Sequence, residues 1–169
     1  MASQKAMEQA NKIYFMCEDE VYKILEKFDE KQNIDITLTY VFFKAFYIRC
    51  VAVYLRNHGK AEQFEDIFEA YRAELLNFYR RNNENIPDEL LQDIQDAFEK
   101  SFDIIESLGY KDLEDSYEFR HHIIETFELL RKILEKKSNQ DIRVDIFENH
   151  ISKIKEEAEN VIDYAAKNL

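Results

Sequence analysis

The sequence predicts an all-α protein, folded as a single antiparallel bundle of about six helices around a buried central helix. The 169 residues include only two glycines and one proline, which leaves few sites for the tight turns of a strand-rich fold. Apolar residues recur at three- and four-residue steps, the spacing of amphipathic helices. The segment from Leu38 to Leu55 is instead apolar on every side, so other helices must cover it. We expect one domain over residues 1–169.

The central helix is predicted over residues 36–58, with Asp35 or Thr37 as its N-cap and Gly59 in the left-handed position that ends helices. A membrane span is disfavoured because Lys44 and Arg49 lie near its middle, where each charge would cost about 2.5–3.5 kcal/mol. A strand is disfavoured because strands usually run for about 5–6 residues. We expect Lys44 and Arg49 to mark the two edges of the buried surface, with their charged ends in water.

The other helices follow from apolar stripes and from the residues that interrupt them. The fifth helix is expected to turn Tyr117, Ile123, Ile124 and Phe127 inward. The predicted ranges are Ser3 to Lys31, Ala61 to Arg81, Pro87 to Leu108 before Gly109, Asp112 or Asp115 to the break at Ser138–Asp141, and Val144 onward.

A short internal similarity leaves a minor alternative open. Phe64–Glu69 follows Gly59 and Leu113–Glu118 follows Gly109, so the chain could contain two related helical hairpins. A solenoid normally needs at least about three repeats, which favours a closed bundle.

The cysteines and the N-terminus indicate the compartment. Cys17 and Cys50 are far apart and form no metal-binding or redox motif, so we expect both to be buried as free thiols in a reducing environment. The first residues contain no apolar segment typical of a secretion signal. The expected location is the cytoplasm.

The net charge of -12 is concentrated in one region. Residues 84–118 contain 12 acidic residues and only two basic ones, a balance of -10, whereas residues 1–83 and 119–169 each sum to -1. At about 100° per residue, the acidic side chains of the fourth helix lie opposite its apolar side chains. The alternative is an ordinary solvated helix face that keeps the protein soluble.

This acidic surface predicts binding to a basic protein and repulsion of nucleic acid. The corresponding function is a non-enzymatic interaction module without a cofactor, such as an immunity-type inhibitor or a DNA mimic. No direct nucleic-acid or membrane partner is expected, and homo-oligomers are possible. The candidate partner-binding residues are Asp88, Glu89, Asp93, Asp96, Glu99, Asp103, Glu106, Asp112, Glu114 and Asp115.

A helical bundle that binds a small-molecule ligand or a metal is the first alternative. Glu118 and His121 have the Glu-x-x-His spacing of di-iron four-helix bundles, and His121 with Glu125 resembles the His-x-x-x-Glu ligand pair of hemerythrin-like proteins. The resemblance would make Glu118, His121, His122 and Glu125 metal ligands. However, these side chains fall on the solvent side of the predicted helix, and no second Glu-x-x-His is present.

A ribonuclease, or an inactive relative of one, is the second alternative. Arg143 and His150, six residues apart, resemble the Arg-x4-6-His motif of the HEPN superfamily, whose helical members include RNases. The resemblance implies an acid–base site formed by these two residues on one side of the last helix. The residue after the arginine is usually polar in that motif but is Val144 here, and an acidic chain repels RNA.

The aromatic core offers one more possibility. Tyr40, Tyr47 and Tyr54 recur at seven-residue spacing on the central helix and could form one wall of a small-molecule pocket. Such a row is more often core packing. Gly-rich phosphate loops and nucleophile elbows have no counterpart in the sequence.

Overall fold

The fold was analysed in a computed structural model that describes residues 3–28, 34–83, 85–106, 116–143 and 145–169. Within these ranges the chain is helical and contains no strand, as the sequence predicts. The helices are α1 (Gln4–Leu25), α2 (Ile36–Asn57), α3 (Ala61–Asn82), α4 (Asp88–Glu106), α5 (Ser116–Ser138), α6 (Asp145–Glu148) and α7 (Ile151–Asn168).

Among the described residues, α2 is contacted by α1, α3, α4, α5 and α7, which confirms its central position. Contacts join α1 to α3 and α7, and α5 to α4 and α7. The helices around α2 form a closed ring, because α3 also meets α4, where Arg72 forms an ion pair of 3.1 Å with Glu99. By length and composition α2 could cross a membrane, but most of its surface is buried inside the bundle. Aromatic rings fill the space around it: Phe43 stacks on Phe127 of α5 with 4.3 Å between ring centroids.

Local signals fix the ends of α2 as predicted. The carboxylate of Asp35 accepts a hydrogen bond of 3.0 Å from the backbone N–H of Leu38, so Asp35 is the N-cap. Gly59 has a φ of 70°, the left-handed conformation that favours glycine. The cysteines Cys17 and Cys50 are free and buried, also as predicted.

The expectation that Lys44 reaches water is wrong. Lys44 is 0% exposed, and its ammonium group contacts the carboxylate of Glu18. Arg49 is 8% exposed and forms an ion pair of 3.2 Å with Glu69. Burial of Lys44 is possible because α1 supplies the counter-charge of Glu18 and the ring of Tyr14, and Tyr40 of α2 adds its hydroxyl beside the ammonium group.

Three further expectations need correction. The first helix ends at Leu25 rather than Lys31. Tyr117, expected in the core, is 76% exposed in the first turn of α5. The last helix is broken at Asn149–His150 into α6 and α7, because Phe147 enters the core and His150 packs against Phe28. The predicted end of the fourth helix at Leu108, the start of the fifth at Asp112 or Asp115, and the second hairpin motif from Leu113 lie wholly or partly outside the described residues.

Candidate protein-binding surface

The acidic surface is built on α4, whose sequence separates apolar and acidic side chains. Pro87 precedes the helix, and Asp88 and Glu89 occupy the first turn, where carboxylates favour the positive end of the helix dipole. Ile94 and Phe98 are buried, and contacts place α4 against α2 and α5. The opposite face therefore points outward.

Neighbouring helices neutralise the two borders of this face. Along the α5 side, Lys136 forms ion pairs with Asp93 and, at 3.9 Å, with Glu89. Along the α3 side, Arg72 is paired with Glu99. Ion pairs at such exposed positions contribute little stability, typically about 0–1 kcal/mol. Their main effect is to reduce the negative charge at the borders.

Asp96 and Asp103 lie between these borders, and Asp88 lies at the α3 border in the first turn of the helix; we call these three carboxylates the open strip. All three are exposed, and none forms an ion pair with another described residue. Asp96 accepts a hydrogen bond of 2.9 Å from the side chain of Gln92. One base, Lys100, lies in the helix turns between Asp96 and Asp103. The open strip is the part of the predicted surface that remains free to attract a partner.

The rest of the predicted surface cannot be placed in the same way. The backbone of Glu106 ends α4, but its side chain lies outside the described residues. Asp112, Glu114 and Asp115 lie wholly outside them. The described surface therefore consists of the open strip and its two partly neutralised borders.

The charge density of α4 can be compared with that of duplex DNA. The helix carries seven acidic residues and one basic residue over 19 residues, a balance of -6. At 1.5 Å of rise per residue this is about one net charge per 5 Å, compared with about one per 1.7 Å along duplex DNA. The charge density of α4 is therefore about a third of that of duplex DNA.

The candidate metal ligands do not converge. His121 and Glu125 contact each other at 2.9 Å between Nε2 and Oε1 on the outside of α5, one helical turn apart. In the described part of the chain no three His, Cys, Asp or Glu side chains form a group that could hold a metal ion. Glu118 and His122 are half-buried on the same helix.

The candidate nuclease residues are separated by the helix break, so the expectation that they share one helix face is wrong. Arg143 precedes α6, and its guanidinium donates hydrogen bonds of 3.1 and 2.7 Å to Asp145. His150 is the N-cap of α7, with its ring 4.6 Å from that of Phe28. Burial, together with the nearby charge of Lys27, lowers the pKa of His150.

In the part of the chain that the structure describes, the tyrosine row packs in and against the core. Tyr47 is fully buried, Tyr40 and Tyr54 are half-buried, and Tyr54 stacks on His58. A gap between α2 and α3 of about 10 Å³ has room for about one water molecule. A wider groove of about 940 Å³ lies on the surface, between the α3–α4 connection and the end of α5.

The sequence did not reveal a buried polar cluster between α1 and α2. The ammonium group of Lys44 lies 3.4 Å from the ring centroid of Tyr14 and 3.1 Å from the hydroxyl of Tyr40, which donates a hydrogen bond to Glu18. Burial lowers the pKa of Lys44, and burial followed by the nearby carboxylates of Glu74 and Glu18 raises that of Tyr14 to about 12. The only local signal was a lysine inside an apolar helix, which did not identify the partner.

The chain matches no protein-family model, and no curated protein or solved structure shows significant similarity to it.

Proposed function

We propose that the protein is a cytoplasmic, non-enzymatic interaction module that binds a basic protein through the open strip of α4. The observation that carries the proposal is the row of exposed carboxylates at Asp88, Asp96 and Asp103, left without a described counter-ion while both borders are neutralised. A surface with one sign of charge accelerates encounter with a partner of the opposite sign.

The spacing of the strip limits the kind of partner. Asp88 and Asp96 are separated by about 12 Å along the helix axis, and Asp96 and Asp103 by about 10 Å. At physiological ionic strength charges are screened over about 8 Å, so each carboxylate acts mainly on a cation directly opposite. Asp96 and Asp103 differ by only about 20° around the axis, so a suitable partner presents two lysines or arginines about 10 Å apart, which is every seventh residue of a helix.

The inhibitor function follows if the basic patch of the partner is itself a functional surface. A protein that covers such a patch competes with the anionic molecule that the patch normally binds. Because exposed charges dominate the contact, we expect binding to be rapid and strongly salt-dependent.

The proposal is tested by affinity capture from the lysate of the source cell at low and moderate salt. Wild type is compared with Asp88→Lys/Asp96→Lys/Asp103→Lys, which reverses the open strip without disturbing the ion pairs of Asp93 and Glu99. We expect wild type to retain a basic protein, less of it at higher salt, and the variant to lose it.

A matched control separates the position of the charge from its amount. Asp141, Glu148 and Asp163 are exposed, form no ion pair with a described residue and lie outside α4. Their combined change to lysine alters the net charge by the same amount. Equal loss of the partner in both triple variants, or equal retention in both, would show that the strip is only a solvated face.

A further inference from the structure

The outward face of α1 has an apolar edge and a charged stripe that complement a second copy of themselves. Met7, Phe15 and Tyr22 are large apolar residues at least half exposed, and Phe15 is 61% exposed. They recur at eight- and seven-residue steps, which places them along one side of the helix. In the described structure α1 contacts α2, α3 and α7, and at least half of each of these three side chains stays exposed, with the ring of Tyr22 lying 5.6 Å from that of Tyr40 on α2.

The charges beside this edge alternate in sign along α1. From the first turn of α1 to its C-cap residue, the exposed ionisable residues of the stripe are Lys5, Glu8, Lys12, Asp19, Lys23 and Glu26. If a second copy of the helix runs in the opposite direction, each base lies opposite an acid: position 5 lies opposite position 26, 8 opposite 23, and 12 opposite 19. The pattern is therefore its own complement about a point between Phe15 and Met16.

The apolar edge has nearly the same centre. An antiparallel second copy with its two-fold axis near Phe15 brings Phe15 against its own counterpart and Met7 towards Tyr22. In a parallel pair with matched positions, every charge would instead face a like charge. The sequence of α1 thus favours one orientation of a helix pair.

We propose that this face of α1 is the interface of a two-fold symmetric homodimer, in which the α1 helices of two copies pack antiparallel. The pairs Lys5–Glu26, Glu8–Lys23 and Lys12–Asp19 each form twice across the axis, around a centre made by Phe15 and Met16. This proposal is independent of the proposed function, because in the described structure the main contacts of α4 are with α2 and α5 and its open strip stays exposed.

The central ion pair is the most informative one. Lys12 and Asp19 are exposed and form no ion pair with another described residue, so both are free to meet a second copy. Lys23 is less free, since its ammonium group already contacts Glu20 at 2.7 Å.

The helix is about 33 Å long. A single helix pair of this length lies at the lower end of interface sizes, so the dimer forms in a concentration-dependent way.

The test is sedimentation velocity of the full chain over a range of concentrations. Wild type is expected to shift from monomer to dimer as concentration rises. Lys12→Glu alone and Asp19→Lys alone each place like charges opposite one another twice, and each should weaken dimerisation at least about tenfold. The double variant Lys12→Glu/Asp19→Lys restores opposite charges and should regain wild-type dimerisation.

Mixing the two single variants gives the sharpest outcome. In a mixed dimer the two substituted side chains, a glutamate and a lysine, meet on one side of the axis, and the unchanged Lys12 and Asp19 meet on the other. Two chains that fail to dimerise separately should therefore form a heterodimer. Phe15→Asp removes the apolar centre and should give a monomer. Wild type that stays monomeric, or single variants that dimerise as wild type does, would overturn the proposal; so would failure of the double variant to recover.

Discussion

Lys44 has its ammonium group over the ring of Tyr14 and against the carboxylate of Glu18, with no surface exposed to water. A buried cation of this kind depends on its partner, because removal of the partner leaves a charge without compensation. The pair is a weak source of net stability, since desolvation offsets most of its Coulomb attraction. Its consequence is that α1 and α2 must pack in one register.

We therefore expect the two members of the pair to respond differently to mutation. Glu18→Ala should lower the free energy of unfolding by about 2–3 kcal/mol, because Lys44 stays buried and unpaired. Lys44→Met keeps the volume of the side chain without the charge and should cost less than about 1 kcal/mol. Urea denaturation of both variants checks this, and equal losses would contradict it.

His150 predicts a pH dependence of stability. Burial and Lys27 lower its pKa in the folded protein, so between that value and the unfolded value of about 6.5 the unfolded chain binds more protons. The contribution of His150 to stability is therefore complete above about pH 6.5 and is lost as the pH falls towards the folded pKa.

His150→Gln should remove this contribution to the pH dependence. Between about pH 7.5 and pH 5, the free energy of unfolding should fall more in wild type than in the variant. Denaturant titrations at both pH values give the difference. An identical fall in the two proteins would mean that His150 does not titrate differently in the folded and unfolded states.

The helix ends show which features a sequence reveals and which it does not. The N-cap at Asp35 and the end at Gly59 were predictable, because capping depends on residues next to one another in the chain. The break at Asn149–His150 was not, since no glycine or proline marks it. It arises from the packing of Phe147 and His150 around Phe28, more than a hundred residues away.

Two positions with left-handed backbone should respond in opposite directions. Gly59→Ala forces an alanine to a φ of 70° with no atom within 4 Å of its Cβ, so the cost is conformational and about 1–2 kcal/mol. Asn139 has a φ of 52° after α5, and Asn139→Gly should stabilise the protein by about 0.5–1 kcal/mol. Thermal unfolding of both variants tests the pair. Changes of the same sign would contradict the assigned backbone conformations.

The arrangement of the whole molecule decides which acidic residues stay unneutralised. The sequence placed the negative charge on α4, because composition and helical periodicity are local properties. It could not show that Arg72 and Lys136 border that face, since this depends on which helices pack beside α4. Nor could it show that Lys44 is paired with Glu18, because the register of α1 on α2 is a property of the assembled bundle.

The central claim is that a basic protein docks on the open strip of α4, and site-specific photo-cross-linking in the source cell tests it most directly. A photoreactive p-benzoylphenylalanine replaces Gln92, which is exposed, uncharged and beside Asp96, so the charge of the strip is preserved. The control carries the same group at Asn160, which is exposed and uncharged on α7.

We predict a covalent adduct with a basic protein from position 92, its loss when Asp96→Lys is added, and no such adduct from position 160. The same adducts from both positions, or an adduct from position 92 that survives Asp96→Lys, would contradict the claim that the strip is the docking site.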